Sequence, residues 1–202
     1  MKNQNYYVGG INMSIFLKAF LFVLLAEMGD KTQLLSVAFA SKYKVKEVLI
    51  GITSAIILLN ALAVLFGNYL SSAIPMNYIQ LIAAASFLIF GFWTIFSKDD
   101  ESDEVDGTNK KSCKYGPIIT VASTFFVGEL GDKTQLMAIT MAAQYKSPIP
   151  VFLGAVLGMF IADGIGVVGG AMLLKYIPKR VVKWITAGIF ITFGILTLIK
   201  AI

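Results

Sequence analysis

Apolar residues lie along this chain in long blocks separated by short polar stretches, a pattern of bilayer-crossing helices rather than of strands or surface helices. A spanning helix takes about 20 mostly apolar residues. Six runs reach that length: Ser14 to Ala40, Val48 to Ala73, Tyr78 to Ser97, Pro117 to Ala143, Val151 to Tyr176 and Val181 to Ala201. The expected class is therefore all-α, a polytopic membrane protein of six transmembrane helices. The first run holds Glu27, Asp30 and Lys31 at its centre and has no small-residue cleavage site, so it is expected to stay in the mature protein.

Between the third and fourth runs the pattern changes. Asp99, Asp100, Glu101, Asp103, Glu104 and Asp106 precede Lys110, Lys111 and Lys114, which reads as a solvated linker. The chain thus divides into residues 1–97, a linker at 98–116 and residues 117–202. Six spans put both termini on one side, and the Lys and Arg count of the two loop sets then gives the orientation. Lys42, Lys44, Lys46, Lys98, Lys110, Lys111, Lys114, Lys175, Lys179, Arg180 and Lys183 fall on one side; Lys2, Lys18, Lys146 and Lys200 fall on the other. The linker is expected in the cytoplasm and both termini outside.

Composition sharpens this picture. Of 202 residues, 57% are hydrophobic and 14% charged, against an apolar fraction of about 45–50% for soluble domains, which excludes a water-soluble globule. The net charge of +5 reflects loop lysines, so a nucleic-acid partner is not expected. The expected partners are the lipid bilayer and a divalent cation, with a homo-oligomer left open. There are no histidines and one cysteine, Cys113, so any metal site is built from oxygen ligands.

An internal repeat organises the rest. Ala26-Glu27-Met28-Gly29-Asp30-Lys31-Thr32-Gln33-Leu34 returns as Gly128-Glu129-Leu130-Gly131-Asp132-Lys133-Thr134-Gln135-Leu136 at an offset of 102. Asn60 faces Asp163, and Phe90-Gly91 faces Phe193-Gly194, at an offset of 103. Each half has three spans, an odd number, so the second half enters the bilayer in the opposite sense, the inverted-repeat plan of many secondary transporters.

Both motifs lie near the middle of their runs, where a charge costs about 2.5 to 3.5 kcal/mol and ionisable groups face the bundle interior. Glu and Asp three apart share one face of a helix, and Thr32 and Gln33 continue the polar run. If the two motif faces oppose each other, Glu27, Asp30, Glu129 and Asp132 form one pocket whose repulsion is relieved by a divalent cation, by protons, or by Lys31 and Lys133. A site loaded either with metal or with protons is the physical basis of exchange. Oxygen ligands suit magnesium, calcium or manganese. Gly29 and Gly131 allow the helix to loosen so that backbone carbonyls can join the shell. The structural alternative is a pair of i,i+4 ion pairs, Glu27 with Lys31 and Glu129 with Lys133.

Asn60 and Asp163 are candidates for an interhelical hydrogen bond or for a ligand or proton relay. Gly154, Gly158, Gly164, Gly166, Gly169 and Gly170 read as close-packing surfaces. Met28, Met137, Met141 and Met159 read as core filler.

At its paired Glu-x-Gly-Asp-Lys-Thr signatures the chain resembles the family of the human Golgi transmembrane protein 165 and the bacterial MneA-type manganese exporters. The resemblance covers essentially the whole chain. It implies a cation/proton antiporter moving Mn²⁺, and in some members Ca²⁺, out of the cytosol without a bound cofactor. It implies Glu27, Asp30, Glu129 and Asp132 as the cation site, with Thr32, Gln33, Thr134 and Gln135 as supporting oxygens. The short N-terminus is similar to that of the bacterial members, so the inner membrane is the expected location. A six-span exporter of a small organic solute such as an amino acid is the alternative, with Lys31 and Lys133 binding substrate carboxylates. An enzyme is not expected: the Gly-Asp pairs resemble those of intramembrane aspartyl proteases, but those proteases do not carry this repeated motif.

Overall fold

The computed structural model describes residues 7–8, 11–28, 30–96, 116–176 and 179–201, so the acidic linker with Cys113, and Gly29, lie outside the described residues. Among the described residues eight helices follow a pair of two-residue antiparallel strands, β1 (Tyr7–Val8) and β2 (Ile11–Asn12). They are α1 (Met13–Glu27), α2 (Lys31–Lys42), α3 (Val45–Ala73), α4 (Met76–Phe96), α5 (Gly116–Glu129), α6 (Lys133–Tyr145), α7 (Pro148–Tyr176) and α8 (Lys179–Ala201). The same order occurs twice: helices of 15, 12, 29 and 21 residues are followed by helices of 14, 13, 29 and 23.

Four of the predicted runs are single helices, α3, α4, α7 and α8. The other two are not. The runs Ser14 to Ala40 and Pro117 to Ala143 are each divided, α1 from α2 and α5 from α6, at the motif itself. Among the described residues three helices are long and apolar enough to cross a membrane, Val45–Ala73, Met76–Phe96 and Pro148–Gly169, and Lys183–Ile199 is a shorter apolar stretch. Large apolar side chains face outward on these helices, among them Leu65, Trp93, Phe96 and Val168 at 67–78% exposure, as suits a surface solvated by lipid chains.

The two halves interlock rather than sit side by side. The divided pair α1/α2 packs on α7 of the other half, α5/α6 packs on α3, and α4 packs on α8. The close contacts recur in register. A Cβ built on Gly51 would lie 2.8 Å from the Ile118 carbonyl oxygen, and one on its repeat mate Gly154 would lie 2.5 Å from the Phe16 carbonyl oxygen. Gly91 meets Ile191 while Gly194 meets Leu88; Gly91 and Gly194, like Leu88 and Ile191, are repeat mates 103 residues apart. Glycine lets backbones approach where lipid offers no hydrophobic drive for helix association.

On α7, Gly154 and Gly158 lie against α1, and Gly166 against Gln33 and Ser36 of α2, so one helix holds both sides of a division. Gly164, between them in sequence, has open space around it. Gly154→Val is therefore expected to cost about 1–3 kcal/mol or more through overpacking against backbone that cannot yield. Gly164→Ala is expected to be neutral or slightly stabilising, since a helical Gly costs about 0.5–1 kcal/mol relative to Ala. Thermal unfolding of the two variants in detergent checks the contrast; equal midpoints would dismiss the packing argument.

The core lies where the halves meet. Phe22 of α1 stacks on Phe190 and sets its ring edge-on to Phe193 at 4.4 Å, with Phe87 of α4 closing the cluster. Phe39 of α2 meets Phe125 of α5 at 6.2 Å. This packing fixes the helix ends at the two divisions.

Candidate functional site

Each division is built the same way. α1 ends at Glu27 and the amide of Asp30 donates to the Glu27 carbonyl at 3.1 Å; α5 ends at Glu129 and the amide of Asp132 donates to the Glu129 carbonyl at 3.1 Å. Gly131 has φ +82°, a left-handed conformation that glycine reaches without a Cβ clash, and its amide donates to Gln135 Oε1 at 2.6 Å. The divided chain leaves the negative ends of two helix dipoles, α1 and α5, at the level of their terminal glutamates. Carboxylates at that end of a helix are repelled, and a cation is attracted.

The expectation that Glu and Asp of one motif share a helix face is thereby corrected: each pair straddles a break, and the turn at Gly131 re-aims Asp132. Asp132 is the N-cap of α6, yet its carboxylate makes no capping hydrogen bond. An N-cap Asp commonly stabilises a helix by about 1 kcal/mol through that bond. Its carboxylate turns instead toward the glutamates. One oxygen from each of Glu27, Glu129 and Asp132 lies within 4.8 Å of the others. Two oxygens across a Ca²⁺ ion, at 2.3–2.6 Å each, stand about 5 Å apart, so this spacing suits a hard divalent cation.

Most of these oxygens lack a hydrogen-bond partner among the described residues. Glu27 is 1% exposed and Glu129 2%, and among the described residues Glu27 Oε1, both Glu129 oxygens, Asp132 Oδ2 and the Thr134 hydroxyl have no hydrogen-bond partner. Buried polar atoms are almost always satisfied, and an orphaned carboxylate costs several kcal/mol. Glu129, Thr134, Gln135, Asn60, Leu59 and Met159 line a small cavity beside the cluster.

The four motif acids do not form one set. Asp30 is ion-paired with Lys133 of the other copy, and both side chains are only partly exposed. This pair also differs from the i,i+4 alternative, because Lys133 reaches across the repeat rather than back to Glu129. The supporting residues divide too. Thr32 donates to Glu27 Oε2 at 3.3 Å, but the Gln33 amide donates to the Ala162 carbonyl on α7 at 2.8 Å. The side chain of Lys31 lies outside the described residues.

Asn60 donates to the Ile56 carbonyl at 2.9 Å and to Met159 Sδ at 3.1 Å, so Met159 is more than filler. Asp163, 1% exposed, accepts from Ser36 at 3.2 Å. Ser36 was not among the candidates from sequence. Its signal was present: four residues after Thr32 and three after Gln33, it extends the same face of α2.

Over residues 15–102 and 117–202 the sequence matches the family described as "Divalent cation/proton antiporter GDT1". The chain belongs to the GDT1 family. It is similar to a Vibrio cholerae protein named "Putative manganese exporter", 32% identical over 187 residues that cover 92% of this chain and 90% of that one. It is also similar to a GDT1-like protein of Synechocystis, 27% identical over 92% of this chain and 97% of the other. A chloroplastic GDT1-like protein 1 of rice is 26% identical over 93% of this chain, which spans 62% of that protein's length. No solved structure matches. GDT1 membership and the apolar helices make this a membrane protein of a divalent cation transporter family.

Proposed function

We propose that this GDT1 protein exports divalent cations from the cytoplasm in exchange for protons, with Mn²⁺ as the first substrate and Ca²⁺ as a second. The observation that carries the reading is the cluster of Glu27, Glu129 and Asp132, drawn from both repeat copies, with both glutamates buried and, among the described residues, four of its six carboxylate oxygens buried without a hydrogen-bond partner. The Vibrio cholerae relative's name supports manganese. The reciprocal contacts of the two halves support an inverted repeat with residues 1–97 and 117–202 as its halves, and the lysine and arginine bias of the loops supports a cytoplasmic linker at 98–116 with both termini outside an inner membrane.

Cytosolic cation enters the cluster and replaces the missing hydrogen-bond partners. The interlocked halves then rock about α3 and α7, which carry the packing to both divided pairs. Protons from outside neutralise the carboxylates and release the cation. Asp30 and Lys133 cancel each other's charge at the rim, which leaves three acids in the cluster to take up a cation or protons. The experiment is uptake into inside-out vesicles under an imposed pH gradient, with Mn²⁺, Ca²⁺ and Mg²⁺ compared and lumenal pH recorded. Mn²⁺ accumulation matched by proton movement is expected. Absence of flux with all three cations, together with amino-acid efflux, would replace this reading with the organic-solute exporter.

A further inference from the structure

Among the described residues a third buried carboxylate, beside Glu27 and Glu129, stands outside both motifs. Asp163 lies on α7 and presents Oδ1 to the Ser36 hydroxyl at 3.2 Å, while Oδ2 has no hydrogen-bond partner among the described residues. The same Ser36 hydroxyl lies 2.9 Å from the Thr32 carbonyl oxygen, one turn back on α2. Ser36 is fully buried, with 0% exposure.

A serine hydroxyl has one proton to donate. With Asp163 ionised, Ser36 can make only one of its two short contacts as a hydrogen bond. With a proton on Asp163, the carboxyl O–H donates to Ser36 Oγ and Ser36 donates to the Thr32 carbonyl. Both contacts are then hydrogen bonds. The arrangement is complete with two protons and incomplete with one.

It also occurs once, whereas the motif occurs twice. The repeat mate of Ser36 is Ala138, and that of Asp163 is Asn60, which is occupied with Ile56 and Met159. A device present in a single half is not a second copy of the cation site.

Among the described residues, the ionisable side chains that act on Asp163 are Glu27 from α1, Asp30 from the first break and, across the cluster, Glu129 from α5. α3 brings Asn60 beside Glu129, and α6 brings Lys133, which is held by Asp30. A proton on Asp163 and a cation at Glu27, Glu129 and Asp132 therefore relieve the same repulsion. Each reduces the need for the other, which is the coupling an antiporter requires, achieved without a shared ligand atom. A mechanical link exists as well: Ser36 joins Asp163 to Thr32, whose hydroxyl holds Glu27, and Gln33 ties α2 to α7 one residue away at Ala162.

We propose that Asp163, shared with Ser36, carries the exchanged proton at a position separate from the motif carboxylates that hold the cation. The inference rests on the antiport reading above. Its test uses the full chain reconstituted in liposomes, with Mn²⁺ as the probe. Wild-type protein must first show Mn²⁺ flux coupled to lumenal pH; failure there defeats the antiport reading itself. Asp163→Asn is then expected to keep Mn²⁺/Mn²⁺ exchange at equal pH within about threefold, while gradient-driven accumulation and the pH change fall by more than about tenfold, the scale for loss of one positioned proton carrier. Ser36→Ala is expected to keep the exchange and to shift the pH profile of gradient-driven uptake.

Wild-type proton movement in Asp163→Asn would overturn the proposal. So would loss of Mn²⁺/Mn²⁺ exchange and Mn²⁺ binding in folded Asp163→Asn, which would assign Asp163 to the cation site. If Asp163→Asn does not fold, Ser36→Ala decides: an unchanged pH profile overturns the proposal and a shifted one with intact exchange supports it.

Discussion

Glu129→Gln is expected to abolish Mn²⁺ transport and to leave the protein as stable as before, or more so. Both oxygens of Glu129 are buried without partners, so no hydrogen bond within the protein is lost when the carboxylate becomes an amide of the same shape. The substitution removes one acidic group from a cluster of three, and because burying a carboxylate without partners is costly, its loss is expected to be neutral or stabilising. The cation loses a ligand. Even outer-shell partners of a metal are worth about 10–100-fold, so a direct ligand should be worth at least roughly 100-fold. Glu27→Gln should act in the same direction with a smaller gain in stability, because Thr32 already donates to one of its oxygens. Since the two glutamates act on one ion, the double variant should transport no less than either single one. Mn²⁺ flux in liposomes and thermal unfolding in detergent read the two halves of this prediction. A lower unfolding midpoint with transport retained would make Glu129 a structural residue and dissolve the site.

Lys133→Met is expected to do the opposite to stability. It strands the Asp30 carboxylate beside three other acids, where the ammonium now compensates it. Breaking a buried pair from one side costs about 3–5 kcal/mol, but Lys133 is 32% and Asp30 16% exposed, so water screens the pair and a loss of about 1–3 kcal/mol is expected. Asp30→Asn leaves the ammonium beside the three remaining acids and should cost less. The double variant Asp30→Asn/Lys133→Met should recover most of the lost stability, because neither charge is left alone. Thermal unfolding midpoints of the four proteins give the coupling directly. If the two single effects add, the pair contributes nothing to joining the halves, and the account of why Asp30 stands apart from the cation cluster fails.

The doubled motif, the six apolar runs and the offset of 102 to 103 residues were all legible along the chain, because hydropathy and repetition are properties of residue order. They sufficed to resemble the GDT1 family and to point to oxygen ligands near the middle of the first and fourth runs. Hydropathy is nevertheless a sum over about 20 residues and does not register whether the backbone is continuous through them. The breaks after Glu27 and Glu129 therefore had no hydropathic signal, although Gly131 was the residue that allows one of them. Which acids gather was equally invisible. Glu27, Glu129 and Asp132 meet, and Asp30 pairs with Lys133, because α7 holds α1/α2 and α3 holds α5/α6 at fixed heights. Those heights are set by glycine contacts between residues more than 60 positions apart, such as Gly51 with Ile118. Ser36 and Asp163, 127 residues apart, meet for the same reason. Sequence determined which chemistry is present and that it is present twice; tertiary packing alone decided which copies of it share one ion and which stand apart, since that depends on distances no local pattern encodes.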